Sequence, residues 1–321
     1  LGRGEAKTAI LDESFEPYFS QLQRREIEAF TAQTAPEGSL DDIRKFARTK
    51  FQEAVLDFTP EERSALTWAT QEVNRTLLTN GFEVMAHHPW RFIKVAPWLC
   101  GGFAHTRGTY IILSQRHLDR LTDLWSQNEP KENQKKILES LGPLLVHEQM
   151  HSLQRSFPAK FDRLNQDDWG FHKAQVEKNP AIILHQVSNP DAPKAEWLIP
   201  DPATHNRFYW IRTLLKPTKS VPQMGKDFTD QVFTVTLQDG AYKIETDENN
   251  IPKSFPLSQI SWFTDQFPVT RGIDHPNEIA AYMFARKIKN LLTAREKNPP
   301  PTDGLISAKE KQFSDWIKKE M

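Results

Sequence analysis

Cysteine is almost missing from this chain: Cys100 is the single thiol among 321 residues. This excludes an intramolecular disulfide and a zinc site built on paired thiolates, so any bound metal must be held by histidine and carboxylate. A surplus of charge of one sign is missing as well, because 41 Lys and Arg residues nearly balance 42 Asp and Glu residues. The balance offers no electrostatic footprint for nucleic acid or an anionic membrane, and we expect neither as a partner.

Long apolar runs, internal repeats and low-complexity tracts are also absent from the sequence. Runs such as "GPLLV" and "AIIL" fall far short of the roughly 20 residues of a spanning helix, so we expect no membrane span. The first residue is Leu1 rather than Met, from which we expect a removed N-terminal segment and favour export to the periplasm or the cell exterior. The length suffices for one large α+β domain or for two lobes that share a cleft.

What the sequence does contain is helical periodicity, followed by a change of pattern. Apolar residues at helical spacing over residues 12–79 predict an N-terminal helical layer. The next stretch, "FEVMAHHPWRFIKVAPWLCGGFAHTRGTYIILS", is rich in β-branched and aromatic residues and predicts a small sheet. Short helices are expected at 117–125 and 131–141, and a further helix over about 143–156, which Pro143 either starts or kinks.

The second half of the chain is less regular. Residues 158–227 are rich in Pro, Asn and Trp with little periodicity, and their length favours a lid or wall over an idle connection. "QVFTVTLQDGAYKIET" alternates around Asp239 and Gly240, which predicts a β-hairpin. We expect helices over 277–293 and 307–319. The predicted fold is α+β and mainly helical, with a small mixed sheet before the 143–156 helix and a hairpin insertion. We expect four parts: a helical layer (1–80), a catalytic core (81–157), a cleft wall (158–270) and a C-terminal helical region (271–321).

The stretch "LLVHEQMHSLQR", residues 144–155, carries the clearest chemical signal. On a helix, positions four apart lie one above the other, so His147 and His151 can present both imidazoles to one ion. The turn before His147 is apolar, and two unpaired histidines with a glutamate at a buried turn would be costly. A metal offsets that cost.

Glu148 flanks this ion without ligating it, which suits a general base. Zinc held by histidines lowers the pKa of a bound water toward about 7, and a neighbouring carboxylate is needed to take the proton. The protonated Glu148 can then pass that proton to a leaving nitrogen.

The third ligand is sought outside this motif, because the positions three and six beyond His151 are Gln154 and Phe157. The stretch "DHPNEIAAYMFARK" begins a helix whose first turn contains Glu278, the favoured third ligand. Rivals for the position are Asp274 and His275 in the same stretch, together with the loop histidines His172, His185 and His205.

These two motifs resemble those of the gluzincins, zinc metallopeptidases in which His-Glu-x-x-His lies on one helix and a Glu on a later helix completes the site. "HEQMH" corresponds to the first motif and "NEIAA" to the start of the second helix. The resemblance implies a zincin-like fold with His147, His151 and Glu278 as zinc ligands and Glu148 as the base. Thermolysin-like members have an Asp four residues after the Glu, and it contacts the first ligating His. Here that residue is Tyr282, and Asp274 is the candidate for the same contact.

Two features of catalysis remain open at this level. The oxyanion is usually stabilised by a Tyr, His or Arg opposite the base, for which Tyr282 and His275 are assigned as candidates beside Tyr209 and Arg271. In zincins an edge strand above the helix pairs with an extended substrate; residues 108–114 are either that strand or an internal one.

The sequence therefore predicts a zinc-dependent metallopeptidase that acts on a peptide or protein substrate. Two alternatives belong to other classes: a zincin-like protein that binds zinc without turnover, for instance one associated with the cell envelope, and a helical interaction protein without metal. A zinc site with three protein ligands and an open position beside Glu148 would indicate the enzyme. A closed site with four protein ligands would indicate the binding protein.

Overall fold

The computed structural model describes residues 1–125, 130–267, 269, 271–294 and 307–321, and these residues form an α+β structure with two sheets. The helices are α1 (Arg3–Ala9), α2 (Arg24–Thr31), α3 (Leu40–Glu53), α4 (Pro60–Thr79), α5 (Glu83–His87), α6 (Gln115–Trp125), α7 (Pro130–Ser156), α8 (Pro158–Arg163), α9 (Pro180–Ile183), α10 (Ser261–Thr264), α11 (Pro276–Ala294) and α12 (Ala308–Glu320). The strands are β1 (Val55–Leu56), β2 (Phe92–Val95), β3 (His105–Arg107), β4 (Tyr110–Ser114), β5 (His172–Lys173), β6 (Trp197–Pro200), β7 (Arg207–Leu215), β8 (Phe228–Gln238), β9 (Ala241–Ile244) and β10 (Ser254–Phe255).

The N-terminal helices begin where the sequence supplies capping residues. Thr59 accepts the Glu62 N–H while the Glu62 carboxylate accepts the Thr59 N–H, and Pro60 occupies the first position of α4. The Ser39 hydroxyl likewise accepts the Asp42 N–H at the start of α3. The predicted helical layer is confirmed, with one addition: β1 interrupts it and pairs with β2, so layer and sheet share one hydrophobic core.

The first sheet precedes the histidine helix, as predicted, and has the strand order β1-β2-β4-β3. It is mixed, because β2 and β4 run parallel while the outer pairs run antiparallel. Since β4 lies between β2 and β3, the 108–114 stretch is an internal strand, and its alternative assignment as a substrate-binding edge is wrong. Among the described strands of this sheet, the outer one in contact with α7 is β3.

The histidine helix is longer than predicted. Residues 131–141, expected to form a separate helix, belong to α7, which continues through Pro143. Gly142 lies where α11 packs on α7: a Cβ atom at Gly142 would come within 2.7 Å of the Leu292 side chain. The helix pair thus brings two segments that are far apart in sequence into direct contact. The helices predicted at 277–293 and 307–319 are confirmed as α11 and α12.

The second sheet, with the order β10-β8-β7-β6-β5 and β9 beside β8, is the main departure from the predicted fold. The hairpin at Asp239 and Gly240 is confirmed, since Gln238 pairs with Ala241. Residues 158–227 are not irregular, however, because they contain α8, α9 and three strands, including the nine-residue β7. The longest of these strands, β7, pairs along its whole length with β8, which lies outside residues 158–227. Because the pairing involves a distant segment, the local sequence pattern of 158–227 does not indicate it.

The largest hydrophobic cluster joins α4, α7, α11 and α12 to the inner face of the second sheet. A second cluster lies between the N-terminal helices and the first sheet. Among the described helices, none is long and apolar enough to cross a membrane.

Candidate metal centre

The two histidines of α7 point their Nε2 atoms at the same place. His147 and His151 are one helical turn apart, and their Nε2 atoms lie 3.2 Å from each other. Both side chains are buried, and Val146, Met150 and Leu153 of the same stretch of α7 belong to the main hydrophobic cluster. Two imidazoles are therefore held close together in the interior.

Glu278 approaches the pair from the first turn of α11. Its carboxylate oxygens lie 3.4 Å from His147 Nε2 and 3.5 Å from His151 Nε2, and the side chain is buried. These three residues form the only group of three or more potential metal ligands found within the described ranges. The structure thus brings the favoured third ligand to the histidines.

The three donor atoms fit a zinc ion. Ligands at about 2.0–2.2 Å in a tetrahedron are separated from one another by roughly 3.3 Å. The two Nε2 atoms lie 3.2 Å apart, and each has a different oxygen of Glu278 at 3.4 or 3.5 Å. One donor atom from each of the three residues can be chosen so that all lie within 4.8 Å of one another. Two imidazole nitrogens and one carboxylate oxygen suit zinc better than calcium or magnesium, which prefer all-oxygen sites.

Charge also favours a cation at this cluster. Burial opposes ionisation of Glu278, but His151 and His147 outweigh it and lower the pKa of the carboxyl to about 2. Burial likewise lowers the pKa of His151 to about 3, whereas the hydrogen bond and charge of Glu278 overcome burial at His147 and raise its pKa to about 9. A proton is therefore bound among these groups in the metal-free protein, and metal binding would release it.

Gln154, one turn beyond the motif, orients the second histidine. The Gln154 Oε1 atom accepts a hydrogen bond from His151 Nδ1 at 2.9 Å, which leaves the lone pair on Nε2. The Gln154 Nε2 atom in turn donates to the Asn277 carbonyl oxygen at 2.9 Å. One amide side chain thus links the histidine helix to the first turn of α11 and fixes the tautomer that a metal requires.

The base candidate Glu148 is buried beside β3. Its Oε2 atom accepts a hydrogen bond from the Thr106 hydroxyl at 2.9 Å, and the Thr106 backbone N–H donates to the carboxylate of Asp191. Burial, followed by the nearby charge of Asp191, raises the pKa of Glu148 above its ordinary value. The Thr106 hydroxyl therefore holds the Glu148 carboxylate beside β3.

A cavity of about 540 Å³ adjoins this group. His147, Glu148 and Glu278 all line it, so the cluster and the base candidate share one space. Its remaining walls come from the N-terminal layer, the β2–β3 connection, α7 and the region 158–270. They are largely apolar: Phe30, Cys100, Phe103, Pro143, Leu144, Val187, Met224 and Phe228.

Of the four candidates for stabilising the oxyanion, two line the cavity and two do not. Tyr282 and Arg271 line the cavity, and the Tyr282 ring packs against His147 with ring centroids 4.4 Å apart. Tyr209 donates to Asp201 on the second sheet and does not line the cavity. His275 does not line the cavity either. Its Nδ1 accepts a hydrogen bond from the Asn277 N–H at the start of α11, and its ring also bonds the Lys194 backbone. Burial lowers the pKa of His275 to about 3.

The other candidates for the third ligand lie apart from the cluster. His172 pairs with the Tyr242 hydroxyl on the second sheet, and His185 and His205 are exposed. Asp274 lines the cavity near Glu278. Gln154 makes the hydrogen bond to a histidine ring here, and that ring is the second of the pair, His151, rather than the first, for which Asp274 was the candidate.

Sequence reasoning missed four residues that surround the cluster. Thr106 lies on β3 and Gln154 on α7, both in segments whose secondary structure was predicted. The i+3 spacing of Gln154 from His151 was the one sequence signal for their contact. Asn189 and Asp191 lie in a segment without periodicity, and Asn189 donates to Glu278 Oε1 at 2.7 Å. Nothing local in the sequence indicates this contact.

No protein-family model matches the chain, and neither the curated proteins nor the solved structures yield a match. The function must therefore be inferred from the residues of the site themselves.

Proposed function

We propose that this protein is a zinc metallopeptidase of the zincin type, which hydrolyses peptide bonds in a polypeptide substrate. The single observation that carries the proposal is a buried group of three potential ligands, His147, His151 and Glu278, whose donor atoms lie within 4.8 Å of one another beside a cavity that Glu148 also lines. Three protein donors reached by a cavity are typical of catalytic zinc sites, whereas structural sites are closed by four.

The residues of this chain divide the chemistry among them. Zinc, when bound by the three donors, supplies Lewis acidity toward a water and a carbonyl oxygen. Glu148 takes the proton of the attacking water on its carboxylate, while Thr106 holds Oε2 in place. The same carboxylate then delivers the proton to the leaving amine. Tyr282 lines the cavity beside His147 and is the candidate donor to the developing oxyanion.

The substrate class is supported by the cavity. Its volume of about 540 Å³ exceeds what one water and one carbonyl require, and its largely apolar walls suit the side chains of an unfolded polypeptide better than a charged small molecule. Zinc binding without turnover is less well supported, because that function leaves the buried Glu148 and the cavity without a role.

The test replaces the base and keeps the ligands. Glu148→Gln should retain about one zinc per chain while hydrolysis of a reduced, alkylated polypeptide falls by about 10²–10⁴-fold, the usual contribution of a general base. Glu139→Gln is the matched control, because this residue lies on the same helix and does not line the cavity. It should leave both zinc content and activity unchanged.

Two results would contradict the proposal. Zinc content below a tenth of an equivalent after reconstitution would exclude a metal site. Zinc retention without hydrolysis by the parent would favour a binding protein. Hydrolysis that is equal in the parent and Glu148→Gln would exclude Glu148 as the base.

A further inference from the structure

One short stretch, the 188–191 segment (Ser-Asn-Pro-Asp), contacts Glu278 directly and is linked to Glu148 through Thr106. At one end Asn189 Nδ2 donates to Glu278 Oε1 at 2.7 Å. At the other end the Asp191 carboxylate accepts the N–H of Thr106, whose hydroxyl lies 2.9 Å from Glu148 Oε2. Between them the Asp191 N–H donates to Asn189 Oδ1 at 2.9 Å. A continuous path of hydrogen bonds therefore joins the third ligand to the base.

The 188–191 segment is itself anchored on both sides. Arg155 Nη2 donates to the carbonyl oxygens of Pro190 and Asp191, each at 3.0 Å, and the Ser188 N–H donates to the buried carboxylate of Glu26 on α2. Arg155 follows His151 by one turn of α7, so the helix that bears the histidines also holds this segment. Charge-assisted bonds of this kind are stronger than neutral ones.

We infer that Asn189 is a positioning residue for Glu278 and that Asp191, through Thr106, is a positioning residue for Glu148; the inference rests on the proposed metallopeptidase function. Asn189 donates to Oε1, the oxygen that lies 3.5 Å from His151 Nε2, and this bond fixes the rotation of the carboxylate that places Oε2 3.4 Å from His147 Nε2. Because Asp191 holds the backbone of Thr106, the hydroxyl of Thr106 is fixed beside the base. One segment thus sets the two carboxylates relative to each other.

The first arm of the test measures metal affinity by chelator competition, which needs no peptidase activity. Asn189→Ala should weaken zinc binding by about 10- to 100-fold, the usual effect of losing a hydrogen bond to a ligand. Asn189→Ser, whose side chain is too short to reach Glu278, should do the same and guards against a folding defect in the first variant. Asn179→Ala is the control, since it removes an exposed cap of α9 far from the cluster, and its affinity should equal that of the parent.

The second arm measures steady-state hydrolysis of the reduced, alkylated polypeptide. Thr106→Val removes the hydroxyl at nearly constant volume and should lower kcat about 10- to 100-fold at unchanged KM and zinc affinity. Thr106→Ser restores the hydroxyl and should recover most of the lost kcat. Asp191→Ala should behave like Thr106→Val, because the Thr106 backbone loses its acceptor.

The outcomes separate this inference from the function on which it rests. Zinc affinity in Asn189→Ala and Asn189→Ser equal to that of the parent would overturn the role of Asn189 and leave the peptidase proposal intact. Equal kcat in Thr106→Val and Thr106→Ser would overturn the role of the Thr106 hydroxyl, and a kcat of Asp191→Ala equal to that of the parent would overturn the role of Asp191; both results would leave the peptidase proposal intact. Failure of the parent to bind zinc would overturn both the inference and the proposed function.

Discussion

At the scale of single residues, the site depends on which polar atoms face the cavity. Tyr282 combines two contributions, because its ring packs against His147 and its side chain lines the cavity beside the base. The phenol is only partly buried, and burial raises its pKa above the ordinary value, so it remains a proton donor at neutral pH. These properties suit a hydrogen-bond donor to an oxyanion.

We predict that Tyr282→Phe lowers kcat by about 10²–10³-fold, the effect of removing one oxyanion donor, with KM and zinc affinity nearly unchanged. The phenylalanine ring keeps the packing on His147, so a loss of zinc would point to a structural role instead. Tyr209→Phe is the control, because this hydroxyl bonds Asp201 away from the cavity. Steady-state kinetics of both variants decide the matter, and equal kcat values would remove Tyr282 from the mechanism.

At the scale of elements, the position of Glu278 depends on how the chain enters α11. Gly272 has a φ of +66°, and a Cβ atom there would lie 2.7 Å from the Glu278 Cβ and 2.8 Å from the Tyr282 ring. His275 then accepts the Asn277 N–H at the first turn. The approach to α11 is therefore tight at the turn that carries the ligand.

We predict that Gly272→Ala weakens zinc affinity at least about tenfold, since the added methyl group displaces Glu278. Gly240→Ala is a matched control: Gly240 has a φ of +80°, but a methyl group added there would meet no atom within 4 Å, so only the left-handed backbone is strained. Both variants should lose roughly 1–2 kcal/mol of unfolding free energy from that strain. Chelator competition should show a loss of zinc affinity for Gly272→Ala alone; an equal loss in both would show that backbone strain, not displacement, is responsible.

At the scale of the whole molecule, the metal centre joins two helices that belong to distant parts of the chain. The histidines lie on α7 and the carboxylate on α11, and both helices form part of the largest hydrophobic cluster. A metal that binds only the folded arrangement stabilises it by mass action. Zinc should therefore act on the stability of the whole fold.

We predict that zinc at a thousand times its Kd stabilises the protein by about 4 kcal/mol relative to chelator-treated protein. Thermal unfolding should then shift upward by several degrees. In His151→Ala the shift should vanish, because one donor is lost from the cluster. A zinc-dependent shift of the same size in that variant would place the metal elsewhere.

Much of the local structure could be predicted from the sequence. Helical periodicity located the N-terminal helical layer, α11 and α12, and the Asp239-Gly240 turn located the hairpin, because these signals act over a few residues. The His-Glu-x-x-His spacing indicated two ligands and a base on one helical face. This spacing could be interpreted from the sequence because helix geometry alone places His147 and His151 one turn apart on the same side of α7.

Other features were decided only by the tertiary structure. The second sheet pairs strands from distant segments, so residues 158–227 gave no regular pattern although they contain β7. Whether β4 lay inside the sheet or at its edge depended on β2 and β3. The roles of Asn189 and Asp191 arise because folding brings the 188–191 segment against α7 and α11. The sequence by itself determined the donors on one helix, whereas the placement of the third donor, the hydrogen bonds around the ligands and the cavity required packing between segments, which no local spacing encodes.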